Sequence, residues 1–223
     1  MEWAPLLLSL QVTLIATALA AVIGIGIAAL LAYKRFPGRE LVDVLITAPM
    51  VLPPTVLGYY VLVALGRRSA IGQAYEAMFD TTIVFTKAGA VTAALICALP
   101  FVVKSARAGF ENVDATLVAA ARTLGAGPLR AFFTVQLPLA AGGIVAGLVL
   151  GFARALGDFG VTLMVAGNIP GETQTASLAI YDAIQANRDD DAFGMIAVMT
   201  AVTIAALYIV NKATQRVTRH AGW

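Results

Sequence analysis

Long apolar stretches with few or no charged residues constrain this chain more than any other feature. The first, residues 6–33, contains no charged side chain at all. A helix that crosses the ~30 Å hydrocarbon core of a bilayer needs about 20 apolar residues. Only 13% of the 223 residues are charged, whereas a soluble domain has about 25%. The sequence therefore predicts an all-α integral membrane protein.

Five stretches are long enough to cross a bilayer, and we expect the whole chain, residues 1–223, to form one membrane domain. Residues 161–166 are a candidate extension of the fourth stretch. Residues 176–184 are too short to span and predict a surface or re-entrant helix. The five expected spans are residues 6–33, 41–65, 83–103, 137–157 and 192–210.

The distribution of lysine and arginine predicts how these spans are oriented. If the N-terminus lies outside, ten of the fifteen basic residues fall on the inner side and four on the outer side. This asymmetry follows the positive-inside rule. We therefore expect a multi-pass protein of the cytoplasmic (inner) membrane, N-terminus out and C-terminus in. Part of the inner charge is Lys212, Arg216 and Arg219 near the C-terminus.

Prolines and glycines mark two of the expected spans. Pro49, Pro53 and Pro54 should kink or break the second span, because proline removes a backbone donor and clashes with the preceding turn. Such a break either serves packing alone or lines a transport pathway. Glycines in the fourth span predict close packing against another helix, with a dimer interface as one place for it. They are Gly142, Gly143, Gly147 and Gly151.

The longest inner segment, residues 104–136, predicts two short helices joined by a glycine elbow. Residues 115–124 have high helix propensity, and Asp114 before them is a suitable N-cap. Gly125 suits the left-handed position that ends a helix, and Pro128 suits the first turn of the next one. The small-residue helix is either an interfacial connector between two spans or a docking helix for a cytosolic partner.

Several classes of function are excluded by residues that the chain lacks. None of its four lysines follows a glycine, so there is no Gly-Lys-Ser/Thr phosphate loop and no ATP-hydrolysing domain. The single histidine, His220, leaves no Ser-His-Asp or Cys-His set. The net charge of +2 is spread along the inner edges and does not predict nucleic-acid binding. We expect a transport subunit, not an enzyme.

The inner segment resembles the coupling motif of the permease subunits of binding-protein-dependent ABC importers. That motif combines Glu-Ala-Ala, a glycine four residues after the last alanine, and a later Leu-Pro. Here Ala119, Ala120 and Ala121 are followed by Gly125 and by Leu137-Pro138. The sequence departs from the family at Ala119, where glutamate is usual. The residues that the resemblance assigns to ATPase coupling are Ala119, Ala120, Ala121, Arg122, Leu124, Gly125, Leu137 and Pro138.

Within that family, the chain is most similar to molybdate permeases, along nearly its whole length. The most family-specific stretch is residues 168–173, Asn-Ile-Pro-Gly-Glu-Thr. Further similar stretches are residues 51–54, 66–68, 120–127 and 132–135. The resemblance implies import of molybdate or tungstate by a homodimer of this subunit. It also implies two cytosolic ATPase subunits that carry the ATP and Mg²⁺, and a periplasmic oxyanion-binding protein. No cofactor or metal is expected in this chain.

Two charges inside the fourth apolar region are candidates for the transport pathway. Arg154 and Asp158 are four residues apart, so they lie on one helical face and can pair. A charge at membrane depth is expensive unless it is paired or wet. The pair is either a structural ion pair or a weak site that eases passage of a dianion. Pro53 and Pro54 are further pathway candidates.

A second set of residues is expected on the outer side, either as contacts for the binding protein or as ordinary solvated loops. They are Asn168, Glu172, Thr173, Arg67 and Arg68.

Three alternatives to molybdate import remain at this point. A sulfate or other oxyanion ABC permease would have the same fold and coupling helix. A secondary transporter or channel would usually show inverted repeats and ionisable residues at mid-membrane. A membrane-embedded enzyme would need a catalytic set that the sequence lacks.

Overall fold

All secondary structure in the described residues, 3–221, is helical in this computed structural model. Beyond residue 208, only the side chain of Lys212 is described, so those of Arg216 and Arg219 lie outside the described set. The segment Phe132–Gln136 is a π-helix between two α-helices. The α-helices are α1 (Ala4–Tyr33), α2 (Arg39–Val51), α3 (Pro54–Leu65), α4 (Ala70–Phe79), α5 (Lys87–Glu111), α6 (Ala115–Thr123), α7 (Pro128–Ala131), α8 (Leu137–Leu139), α9 (Ala141–Leu156), α10 (Gly160–Ala166), α11 (Ala176–Gln185) and α12 (Asp189–Ala221).

Three of the described helices are long and apolar enough to cross a bilayer: α1, α5 and the part of α12 from Asp189 to Tyr208. A fourth span results if Pro128–Leu139 and α9, which are bent by 67° relative to each other, are taken together. The second predicted span, residues 41–65, corresponds to two separate helices, α2 of 13 residues and α3 of 12 residues. Five spans and their orientation stay predictions.

Two helix ends differ from the predicted span ends. Helix α5 continues to Glu111, eight residues beyond the predicted end of the third span at residue 103. The fourth span ends at Leu156, and residues 161–166 do not extend it, because they belong to the separate helix α10. The proline-rich stretch does break the second span, since Leu52 and Pro53 adopt extended backbone between α2 and α3.

The core is a contact between small residues of α1 and α5. One face of α1 repeats buried residues every four positions, which is the spacing of neighbours on a helical surface. Across from it, Ala90, Ala94, Ala98 and Val102 of α5 are also buried. Small side chains let two helix backbones approach closely, which is how helices associate within lipid. The α1 positions are Leu8, Val12, Ala16, Ala20, Gly24 and Ala28.

The glycines of α9 pack against α5 within the same chain. A Cβ added to Gly143 would lie 2.7 Å from the Gly109 Cα, and one added to Gly147 would lie 3.1 Å from the Val102 Cα. The Ser105 hydroxyl donates a 2.8 Å hydrogen bond to the Gly143 carbonyl. The predicted close packing is therefore present, but between α9 and α5. The contacts of Gly143, Gly147 and Gly151 lie within one chain.

The outward surfaces of the long helices carry large apolar side chains. Val22 of α1 is 78% exposed, and Phe193 of α12 is 75% exposed. Soluble monomers rarely expose contiguous apolar surface of this kind. An apolar surface around a core of small residues is what a lipid environment requires.

Replacing Gly143 with alanine should destabilise the protein, because the new Cβ would meet backbone atoms of α5 that cannot move independently. Overpacking of this kind costs about 1–3 kcal/mol. Gly26→Ala is the matched control, since nothing lies within 4 Å of its added Cβ. Unfolding temperatures measured in detergent should fall by several degrees for Gly143→Ala only. Equal temperatures for both variants would contradict the α5–α9 contact.

Candidate coupling surface and buried ion pair

Helix α6 begins at the predicted N-cap. The Asp114 carboxylate accepts a 2.8 Å hydrogen bond from the backbone N–H of Thr116. Such a bond satisfies one of the donors that the first turn of a helix leaves free. The backbone and side chain of Thr116 hold the pKa of the Asp114 carboxyl below its ordinary value. An ionised aspartate at this end also suits the helix dipole.

Helix α6 ends at the predicted glycine elbow. Gly125 has φ +87°, a left-handed conformation that residues with a Cβ rarely adopt. Its N–H bonds to the Arg122 carbonyl at 3.0 Å, and the Ala126 N–H bonds to the Ala121 carbonyl at 3.0 Å. These two bonds form a Schellman motif. The elbow therefore fixes the direction in which the chain leaves α6.

No residue of α6 is buried, although the segment is rich in apolar side chains. Leu124 is 89% exposed, and Arg122 also lies on the surface. Ala119 and Ala120 are exposed and Ala121 is half-buried, so their small side chains allow another backbone to come close. Large apolar neighbours share the exposed surface. They are Leu117, Leu124, Leu129 and Phe133. We call α6 together with these residues the coupling surface.

The coupling surface is joined to the core by a continuous helical segment, Pro128–Leu139. Its π-helix places Phe132 against Phe110 of α5, with ring centroids 5.8 Å apart. Phe110 in turn contacts Tyr33 of α1 at 5.7 Å. Leu137 is half-buried against the same cluster, whereas Pro138 is exposed. A displacement of α6 would therefore reach α9, α5 and α1 through packed aromatic rings.

The predicted pair of Arg154 and Asp158 forms, at the turn between α9 and α10. The Arg154 Nη1 atom lies 3.1 Å from Oδ1 of Asp158, whose side chain is 1% exposed. The other carboxylate oxygen, Oδ2, accepts 2.8 Å bonds from the backbone N–H and the hydroxyl of Thr162. The Cys97 thiol is a further donor at 3.4 Å. Asp158 therefore caps α10 and is already surrounded by donors.

The break in the second span lies beside this turn. A Cβ added to Gly160, two residues after Asp158, would lie 2.7 Å from the Pro54 Cβ. Pro53 and Pro54 are both exposed. The structure thus brings all four pathway candidates into one region, which their separation in sequence did not predict.

The predicted binding-protein contacts fall into two groups. Arg67, Arg68 and Glu172 are exposed, although Arg67 already pairs with Glu76 at 2.9 Å. Thr173 is fully buried, so its assignment as a surface contact is wrong. Its hydroxyl accepts a 3.1 Å hydrogen bond from the Ile169 N–H, which stabilises the loop of residues 168–173.

Asn168 is half-buried, and its side chain joins the same loop to α11. Its amide donates a 2.8 Å bond to Asp182 of α11, and Gln174 donates to the same carboxylate oxygen at 2.8 Å. The hydroxyl of Ser9 in α1 accepts a 2.7 Å bond from the Ala176 N–H at the start of α11. The sequence did not indicate Ser9, Thr162 or Asp182, because each acts on a residue that only the fold brings near.

A family model and several curated proteins match this chain. The model described as "Binding-protein-dependent transport system inner membrane component" matches residues 7–220. The molybdenum transport system permease protein ModB of Escherichia coli (strain K12) is 41% identical over 218 residues, 98% of this chain and 95% of that protein. ModB of Haemophilus influenzae is 46% identical over 185 residues, 83% and 81% of the two chains.

A sulfate permease and a solved transporter are also similar. The sulfate transport system permease protein CysT of Salmonella typhimurium is 33% identical over 210 residues, 92% of this chain and 76% of that protein. A chain of the MetNI methionine ABC transporter, in inward-facing conformations, superposes with a TM-score of 0.72. That likeness covers 96% of this chain and 94% of the other at 16% identity. It shows a shared fold.

Replacing Asp158 with alanine should destabilise the protein strongly. The change leaves the Arg154 charge and the Thr162 N–H without their acceptor, and breaking a buried ion pair on one side costs about 3–5 kcal/mol. Asp158→Asn keeps an oxygen acceptor and should lie between the wild type and Asp158→Ala in unfolding temperature. Glu172→Ala, an exposed carboxylate nearby, should have no effect. An unchanged temperature for Asp158→Ala would refute the capping role.

Proposed function

This chain belongs to the family of inner membrane components of binding-protein-dependent transport systems, and on that premise we propose that it is the permease subunit of an ATP-driven molybdate importer. Its place is the inner membrane, which it crosses several times. The observation that carries the proposal is identity of 41% to a molybdenum permease over 98% of the chain. Tungstate, with the same charge and similar size, is a second candidate substrate.

The sulfate alternative would keep the fold and exchange the substrate. Its support is weaker, because the identity to the sulfate permease is lower than that to the molybdenum permeases. A secondary transporter or channel has no use for an exposed apolar docking segment such as the coupling surface. A membrane enzyme would need a catalytic set, which the sequence does not contain.

The proposed assembly contains two copies of this chain, two cytosolic ATPase subunits and a binding protein on the outer side. ATP and Mg²⁺ belong to the ATPase, and this chain holds no cofactor. The coupling surface supports this assembly, because an exposed helix with small side chains and a rim of large apolar ones suits a protein partner. Glu172, Arg67 and Arg68 remain candidate contacts for the binding protein.

In the proposed mechanism, closure of the ATPase dimer moves α6, and the packed rings of Phe132 and Phe110 pass that movement to the core. The π-helix and the 67° bend after it lie between the docking helix and α9. Single-turn π segments often mark functional sites within helices. The bend and the break at Pro53-Pro54 are the places where the pathway can change between inward and outward access.

The ion pair suits a structural role better than a strong anion site. Asp158 offsets the charge of Arg154 and is occupied by Thr162 as well. The Arg154 side chain is 30% exposed, so it can still lower the barrier to a passing dianion. A weak site of this kind leaves selectivity to the binding protein.

Gly125→Val should impair ATPase docking while membrane insertion stays intact. Valine is strained in the left-handed conformation by about 1–2 kcal/mol, so the elbow would redirect the chain. Gly125→Asn, which tolerates that conformation, should retain docking. Ala119→Glu, an exposed change with Arg122 three residues on, should also be tolerated. Co-purification of the ATPase checks all three, and normal recovery with Gly125→Val would refute the coupling role.

Uptake measured with the reconstituted importer tests the substrate. The permease, its ATPase and its binding protein are placed in liposomes with molybdate, tungstate or sulfate. Molybdate should stimulate ATP hydrolysis and uptake, and sulfate should not. Stimulation by sulfate would replace the substrate but keep the importer. Uptake without the ATPase would overturn the importer itself.

A further inference from the structure

A cavity of about 630 Å³ lies between the elbow that joins α1 to α2 and the last turns of α5. Most of the residues that line it are charged. They include three arginines: Arg35 from the elbow, Arg39 from α2 and Arg107 from α5. The first turn of α2 completes the wall. That turn begins at Gly38 without a side-chain cap, so the positive end of the helix dipole adds to the arginines.

Two of the acidic groups around this cavity are already paired. The Asp43 carboxylate accepts from Lys104 at 2.9 Å and lies 3.1 Å from Arg107. Glu111 lies 2.8 Å from Nε of Arg107 and 3.6 Å from Nη2 of Arg39. This network ties α2 to α5 and holds Arg107 in place. A third carboxylate, that of Glu40, also lines the cavity.

Two arginine groups at the cavity have no acceptor among the described residues. Nε of Arg39 is buried and makes no hydrogen bond. Arg35 is exposed, and no carboxylate of the described residues lies within ion-pair distance of its guanidinium group. These N–H groups are therefore free to donate to an acceptor from outside the chain. The guanidinium fork of arginine matches the oxygens of a phosphate.

An apolar groove continues from the charged cavity along α2. This second cavity, of about 480 Å³, shares Asp43 and Lys104 with the ion network and runs past Val44, Ala48 and Val51. Val44 and Val51, two turns apart, are 63% and 80% exposed. The combined surface therefore has a cationic end and an apolar length, on one helix.

We propose that this surface binds one anionic phospholipid, with its phosphate at Arg35 and Arg39 and an acyl chain along Val44 to Val51. Basic pockets at the edge of membrane helices are suited to such headgroups. The charge selects an anion, and the groove selects an anion with a hydrocarbon chain. The lipid would hold α2 against α5 at the point where the Asp43 and Glu111 network already joins them.

Native mass spectrometry of the purified permease tests this site with dioleoyl-phosphatidylglycerol and dioleoyl-phosphatidylcholine as probes. The wild type should bind the anionic lipid about 25-fold more tightly than the zwitterionic one, since each of the two arginines near the headgroup contributes about fivefold. Arg35→Gln, a surface change that breaks no ion pair, should lose about fivefold. Arg35→Gln with Arg39→Gln should lose most of the preference.

Arg67→Gln with Arg68→Gln is the matched control, because it removes two neighbouring arginines from another part of the fold. It should keep the preference for phosphatidylglycerol. Equal binding of both lipids, or equal loss in the control, would overturn the site. Displacement of the lipid by millimolar inorganic phosphate or molybdate would also overturn it, because the groove would then contribute nothing. So would failure of the wild type to retain any lipid, as expected if a second copy covers α2.

Discussion

The contact of α5 with α1 and α9 is the interaction on which the rest of the fold depends. Lipid offers no hydrophobic drive for helices to associate, so close van der Waals contact between small residues must supply it. Gly143 against Gly109 and Gly24 against Val102 allow that approach. The other elements attach to this trio: α10 packs on α5 and α3 packs on α10, α12 packs on α9, and α11 packs on α1 and α12.

Two polar side chains inside this apolar framework satisfy the ends of short helices. Asp158 caps α10 and pairs with Arg154, while Ser9 receives the first N–H of α11. A backbone group without a partner is costly where water is absent. The short helices α10 and α11 can therefore lie against the long ones because side chains of the long ones, or of the turns beside them, satisfy their ends. These same contacts fix where the pathway candidates lie.

The coupling surface is built in the opposite way. Helix α6 has no buried residue, and local hydrogen bonds hold both of its ends. Its link to the core passes through aromatic rings, which transmit displacement because packed side chains are difficult to compress. The structure thus separates an exposed segment with local stability from a core with close packing, and the proposed transport cycle needs both.

The sequence by itself determined the all-helical membrane class, the broken second span and the two-helix coupling segment with its caps. Those features follow from local chemistry: apolar length, proline, an aspartate N-cap and a glycine C-cap. The family resemblance rested on the same segment. Only the tertiary structure decided that Thr173 is buried, that Gly143 and Gly147 face α5, and that Pro54 packs against Gly160. Those facts depend on which helices meet, and a pattern within one helix does not specify the surface that it will face.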